Sequence, residues 1–224
     1  ARISNISTDG YRDRASADMK SYFLQGGYYG ENTTVKLITF GGDEETYHAW
    51  DGISKDDLEN NRKYNPNGEI DKDKGLYYDN QIDNYKQTHY QLILDHTFTS
   101  QWSMNVALHY TDGEGYYEEY KNGRKLIEYG LEPYAIDGET YNKSNLVRRK
   151  MVGSDFGGGI FSFNYKNDRL LATVGGGVNY YKSNHKGKVI WIDNYIGDIL
   201  PEHEYYRNTG KKADGNIYAK ASYD

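Results

Sequence analysis

The side chains here that could do chemistry are imidazoles and phenols rather than nucleophiles. With no cysteine among 224 residues, disulfides and thiolate metal sites are excluded. No GxSxG, HExxH or phosphate-cradling glycine loop occurs. The acidic runs Glu44-Glu45, Asp56-Asp57, Asp71-Lys72-Asp73 and Glu118-Glu119 lack the spaced oxygen ligands of a calcium loop and read as solvated charge. We find no catalytic constellation, no cofactor is implied, and the chain is not expected to be an enzyme.

What remains is recognition chemistry. Tyr47-His48-Ala49-Trp50, Tyr77-Tyr78, Tyr116-Tyr117 and Tyr205-Tyr206-Arg207 set aromatic rings in polar surroundings. Such rings suit gripping a flat or chelated ligand, and equally suit packing one loop against another. His89 and His109 fall on one face of neighbouring predicted strands, about one diagonal or roughly 7–8 Å apart. There they could touch a metal or an iron chelate. Two histidines without a third ligand are a weak metal signal, so no metal site is assigned; residues of this kind more often hydrate a polar wall.

The elements that must carry these residues are strands. From Tyr85 to Tyr110 the chain alternates: Tyr90, Leu92, Leu94, His96 and Phe98 on one face, Gln87, His89, Gln91, Ile93 and Asp95 on the other. After Thr99-Ser100-Gln101, Trp102, Met104, Val106, Leu108 and Tyr110 alternate with Ser103, Asn105, Ala107, His109 and Thr111. Closing this as a hairpin sets Phe98 opposite Trp102, Leu94 opposite Val106, Leu92 opposite Leu108 and Tyr90 opposite Tyr110. The dry face then reads aromatic, aliphatic, aromatic. Eight steps of about 3.3 Å give roughly 26 Å along the strand. A tilt of about 40° reduces this to roughly 20 Å, near the height of an outer-membrane barrel's apolar band. His96 lies close to the interface, where a neutral ring costs little.

A second hairpin repeats the pattern. With Asn167-Asp168 as a two-residue turn, Tyr165, Phe163 and Phe161 face Leu170, Ala172 and Val174. Gly157-Gly158-Gly159 and Gly175-Gly176-Gly177 then lie near each other. Strands at Arg2–Thr8, Lys20–Tyr29, Thr33–Phe40 and Asn216–Asp224 bring the count to eight. Turns near 30–32, 99–101 and 167–168 are short, whereas polar stretches at about 42–84, 113–148 and 184–214 are long. This alternation fits the short periplasmic turns and long extracellular loops of transmembrane β-barrels. The formal charge of -6, without a basic cluster, argues against nucleic acid as a partner. No apolar run is long enough for a membrane helix.

The segments Ser7-Thr8-Asp9-Gly10-Tyr11-Arg12-Asp13-Arg14-Ala15-Ser16, Thr46-Tyr47-His48-Ala49-Trp50-Asp51-Gly52, and Leu108-His109-Tyr110-Thr111 leading into Gly113-Glu114-Gly115-Tyr116-Tyr117-Glu118 resemble TonB-dependent outer-membrane receptors of Bacteroidetes type. So does His203-Glu204-Tyr205-Tyr206-Arg207-Asn208-Thr209-Gly210-Lys211-Lys212. The resemblance runs along essentially the whole chain. It implies an antiparallel transmembrane barrel of 22 strands, of which residues 1–224 supply about eight. It implies also an amino-terminal plug that this sequence lacks, as it lacks the TonB-contacting box and an aromatic closing strand. The chain therefore reads as a fragment of the barrel.

The function so implied is import of a scarce nutrient across the Gram-negative outer membrane, with a ferric siderophore or similar iron chelate favoured by family frequency. Cobalamin, haem and oligosaccharide stay open. Expected partners are outer-membrane lipid, the TonB–ExbB–ExbD system acting through the missing plug, and the small-molecule ligand; the resemblance leaves room for a surface lipoprotein. Two other readings compete: a small closed eight-stranded barrel acting as adhesin or envelope structural protein, and a soluble glycan-binding β-sandwich.

Overall fold

The computed structural model describes residues 1–199 and 202–224. In chain order the elements are β1 (Arg2–Thr8), β2 (Ala17–Tyr29), β3 (Thr33–Tyr47), helix α1 (Lys55–Asn60), β4 (Glu69–Asp71), β5 (Leu76–Tyr77), β6 (Ile82–Thr97), β7 (Trp102–Lys125), a 3-10 turn (Leu126–Tyr129), β8 (Tyr134–Ile136), β9 (Glu139–Tyr141), β10 (Lys143–Lys166), β11 (Leu170–Ile192) and β12 (His203–Tyr223). Eight of these form one antiparallel sheet in the order β1-β2-β3-β6-β7-β10-β11-β12. Every sheet neighbour is also a sequence neighbour among the long strands, so the wall is a plain meander. The sheet does not close on itself; β1 and β12 are its edges.

The β6–β7 hairpin adopts the expected register: Tyr90 pairs with Tyr110, Leu92 with Leu108 and Leu94 with Val106. Phe98 donates its backbone N–H to Trp102 at 2.9 Å to close the turn. The outward face is an exposed apolar sheet, with Leu37, Leu92, Leu108, Phe161, Phe163, Val174 and Val178 all exposed. Aromatics border it. Tyr90 stacks with Tyr110 at one margin, and Trp102 packs on Tyr165 at the other. His96 is satisfied there by Thr33 Oγ1, its cross-strand partner, at 2.8 Å.

The β10–β11 turn corrects the expected register. Tyr165 pairs with Ala172 and Phe163 with Val174, two residues further on than Asn167-Asp168 as a two-residue turn requires. The cause is local: Asn167 Oδ1 accepts from the N–H groups of Arg169 and Leu170 and so builds a longer turn. A slip of two preserves every side chain's face, so the apolar surface survives the error. The glycine runs are offset neighbours, Ile160 opposite Gly177 and Ser162 opposite Gly175.

The long connections are shorter than expected. Strands persist to Tyr47, Lys125 and Ile192 and resume at Ile82, Lys143 and His203. Of the stretch expected as loop at 184–214, residues 200 and 201 lie outside the described residues. Above the apolar margin both faces of a strand meet polar surroundings, so the ladder continues while the alternation that reveals it vanishes.

Candidate functional site

The side chains facing inward from the upper ends of these strands form an aromatic and cationic collar. One rung runs across four strands: Tyr117 pairs with Lys150, Lys150 with Gly187, and Gly187 with Tyr206. Glycine is required in that rung, because a Cβ on Gly187 would strike the rings of both Tyr205 and Tyr206. Lys150 Nζ lies 5.8 Å from the Tyr117 ring centre, within cation–π range. The next rung pairs Arg148 with Glu119, at 2.8 Å between charged groups. Glu119 also holds Lys121 at 2.8 Å, and Arg148 donates to Tyr129 Oη at 3.1 Å.

The electrostatics follow from this geometry. Burial acts to raise the Glu119 carboxyl, but hydrogen bonds from Lys121 and Arg148 outweigh it and hold its pKa below the ordinary value of 4.5. Burial opposes the Arg148 charge as well, and Glu119 overcomes it, so the guanidinium is held charged more firmly than in water. Burial pushes the phenols of Tyr117, Tyr205 and Tyr206 up; for Tyr206, Lys150 partly offsets it. The collar thus presents neutral phenols beside two fixed cations, a combination able to receive an anionic, oxygen-rich ligand.

The β3–β6 connection closes one side. His48 is fully buried, stacked beneath Trp50 at 3.8 Å and edge-on to Tyr117 at 6.0 Å. Neither His48 ring nitrogen has a hydrogen-bond partner, and burial lowers its pKa below 6.5. Trp50 itself is 54% exposed. The connection is stapled by the segment after β1: Arg12 donates to the carbonyls of Ala49, Asp51 and Tyr64, and Asn65 Nδ2 donates to the His48 carbonyl at 2.8 Å. Helix α1 begins in a Ser54/Asp57 capping box.

The structure divides the sequence-derived candidates into groups. His48, Trp50, Tyr117, Tyr205 and Tyr206 meet in or beside the collar. Tyr47 and Tyr77 instead lock the loop: Tyr47 Oη donates to the Tyr78 carbonyl at 2.9 Å, and Tyr77 lies 3.4 Å beneath the Arg14 guanidinium. Tyr78, Tyr116 and Arg207 belong to the outward surface, where Tyr78 donates to Glu118, Tyr116 packs on Arg149 at 4.5 Å, and Arg207 forks onto Glu204.

His89 and His109 line a separate recess lower on the inner face, about 570 Å³ in volume. They are the expected diagonal neighbours, since His89 pairs with Thr111 and His109 with Gln91. Their rings look to different partners. His89 is held by Thr111 Oγ1 and Gln87 Oε1 at 2.8 and 2.9 Å, His109 by Asn179 Oδ1 at 3.0 Å. Lys121, Tyr129 and Arg148 escape a sequence reading because they fall in the expected loop at 113–148. Lys150 lies just beyond it, and the expectation of solvated charge at Glu119 gives way to a buried carboxylate held by Arg148 and Lys121. Period-two spacing of Tyr117, Glu119 and Lys121 was the available signal.

The fold is an open antiparallel sheet with two unlike faces, one a continuous apolar band and the other mainly polar, with Ile93, Ala107 and Ile160 in a single row across it. Neither a family model nor a curated protein matches the sequence. Among solved structures, the chain is similar to the crystal structure of BauA, the ferric preacinetobactin receptor from Acinetobacter baumannii, with a TM-score of 0.58 over 98% of its length. Identity is 12%, so the likeness is one of fold, and this chain spans 33% of that chain.

Proposed function

We propose that this chain is part of the barrel wall of a TonB-dependent receptor in a Gram-negative outer membrane, importing an iron chelate. The observation that carries the reading is the sheet's outer face: an exposed apolar band edged by aromatics, backed by a polar inner face. A soluble sandwich would cover such a face with a second sheet. Both sheet edges carry unpaired ladder groups, which lipid does not tolerate; further strands on each side, toward a 22-stranded barrel, remove that cost. The similarity to a ferric preacinetobactin receptor supports an iron chelate as cargo.

In this reading Trp50, Tyr117, Lys150, Arg148 and Tyr206 receive the ligand at the cell surface. The plug of the intact receptor, engaged by TonB, then releases it inward past His89 and His109. No catalytic step is assigned to the chain. Trp50 supplies the test. Titrating the full-length receptor with ferric chelates should quench its tryptophan fluorescence, and Trp50→Phe should remove most of that signal. Deleting the gene should abolish growth on the chelate that quenches. Normal growth of the deletion strain on every ferric chelate tried, with no quenching, overturns the iron reading.

A further inference from the structure

The outward face of β11 and β12 carries an unusual arrangement just above the apolar band. Tyr180 marks the band's margin on β11. Two residues higher, Lys182 pairs directly with Lys211; six residues higher, Lys186 pairs directly with Arg207. Like charges facing each other across a ladder are destabilising. Asp155, which faces Lys182 from β10, accepts from Tyr110 Oη at 2.6 Å and forms no ion pair with the lysine among the described residues. The rung between is neutral, Thr209 donating to Asn184 at 2.8 Å. Lys188 adds a fifth cation on the same face. Arg207 is paired with Glu204 and Lys188 with Glu202, whereas Lys182, Lys186 and Lys211 take part in no ion pair among the described residues.

Beside these cations an open groove of about 540 Å³ crosses the outward face, walled by Lys186, Arg207, Asn184, Tyr116 and Lys86. Its one carboxylate, Glu114, is opposed across the ladder by Lys86. Gly153 lies in its floor, where a Cβ would meet nothing within 4 Å. Along the strand Lys182 stands about 7 Å and Lys186 about 20 Å beyond Tyr180. That is where lipid headgroups begin, on the surface continuous with the apolar band.

We propose that this patch binds the phosphate-bearing headgroup of an outer-leaflet glycolipid, with Lys182 and Lys211 clamping a phosphate near the membrane surface and Lys186 holding a second anionic group in the groove. The inference rests on the membrane reading above. It concerns the wall's outward face and is independent of what the lumen carries.

The test uses the full-length receptor extracted from outer membranes, with bound phosphorylated glycolipid measured by native mass spectrometry. The Lys182→Gln/Lys186→Gln/Lys211→Gln variant should retain at least about tenfold less, since each cation near an anionic surface contributes about fivefold. Lys211→Gln alone, at an exposed position, should show a smaller loss in the same direction if the triple variant folds poorly. Dephosphorylated glycolipid should not rebind to delipidated protein, and millimolar inorganic phosphate should not displace the phosphorylated form. Equal retention by wild type and a variant that keeps its heat-modifiable gel mobility overturns the lipid site while leaving the barrel standing. Displacement by inorganic phosphate overturns it too, as a simple anion site. Recovery of the receptor in the soluble fraction would remove the membrane reading, and the lipid site with it.

Discussion

Between the aromatic margins, Leu92, Leu108, Val174 and Val178 stand exposed on the outward face and Ile160 on a mainly polar inner face; no buried hydrophobic side chain lies there among the described residues. In the collar above, Leu126, Tyr129, Leu146, Val189 and His48 are among the most completely buried side chains of the described residues. Leu126, Tyr129, Leu131, Leu146 and Val189 form one cluster, with Tyr134, Ile192, Tyr195, Ile199 and Tyr205 packed against it. In the collar the loops of these strands bury one another's apolar side chains; in the band the apolar face has no cover within the chain, and on the reading proposed above lipid supplies it. The collar therefore carries its own packed core, while the band needs an apolar partner from outside the chain.

Changes confined to one region should leave the other intact. Leu126→Ala should have the largest effect, costing about 4 kcal/mol through the cavity it leaves. It should expose the loops to protease while the heat-modifiable barrel persists. Next, Leu108→Arg should cost about 3 kcal/mol of folding free energy in lipid vesicles by placing a charge in the band, with the loops' protease resistance unchanged. Glu119→Gln leaves Arg148 charged without its partner. Removing one member of a buried pair costs more than this when burial is complete, and the partial exposure of Arg148 brings the expected loss to about 2 kcal/mol. It should be read as lower thermal stability of the collar and weaker chelate quenching.

The smallest effect is pH-dependent. His48 has a lowered pKa in the folded state, so the unfolded chain binds its proton first and stability falls as pH drops below 6.5. Glu119, also lowered, adds a second loss that begins only below 4.5. His48→Phe, which keeps a ring under Trp50, should flatten protease sensitivity between pH 6.5 and 4.5 and leave the lower step in place. An unaltered profile in that variant would assign the upper step to another group.

The difference between band and collar also explains what was legible before the structure. In the band one face must be apolar, so residue type reports orientation, and the pairings Tyr90–Tyr110 and Leu92–Leu108 follow from alternation once the turn sets Phe98 opposite Trp102. The collar's strands carry polar side chains on both faces; Tyr116 and Tyr117 look alike in sequence though one faces out and the other in. Arg148, at the end of the expected loop, and Lys150 just past it carry no alternation for the same reason. The slipped β10–β11 register had a local cause, the side chain of Asn167, which alternation does not see.

The sequence by itself determined an all-β chain of eight strands, the apolar face and its aromatic margins, because period-two alternation is a direct record of which side meets an apolar surrounding. It also marked the aromatic segments that make the rim. Only the tertiary structure decided which of them meet. It sent Tyr117, Tyr205 and Tyr206 inward beside Arg148 and Lys150, turned Tyr116 and Arg207 outward, and used Tyr47 and Tyr77 to lock a loop. Those outcomes depend on ladder register and loop packing, which arise from contacts between residues far apart in the chain and leave no periodic trace in it.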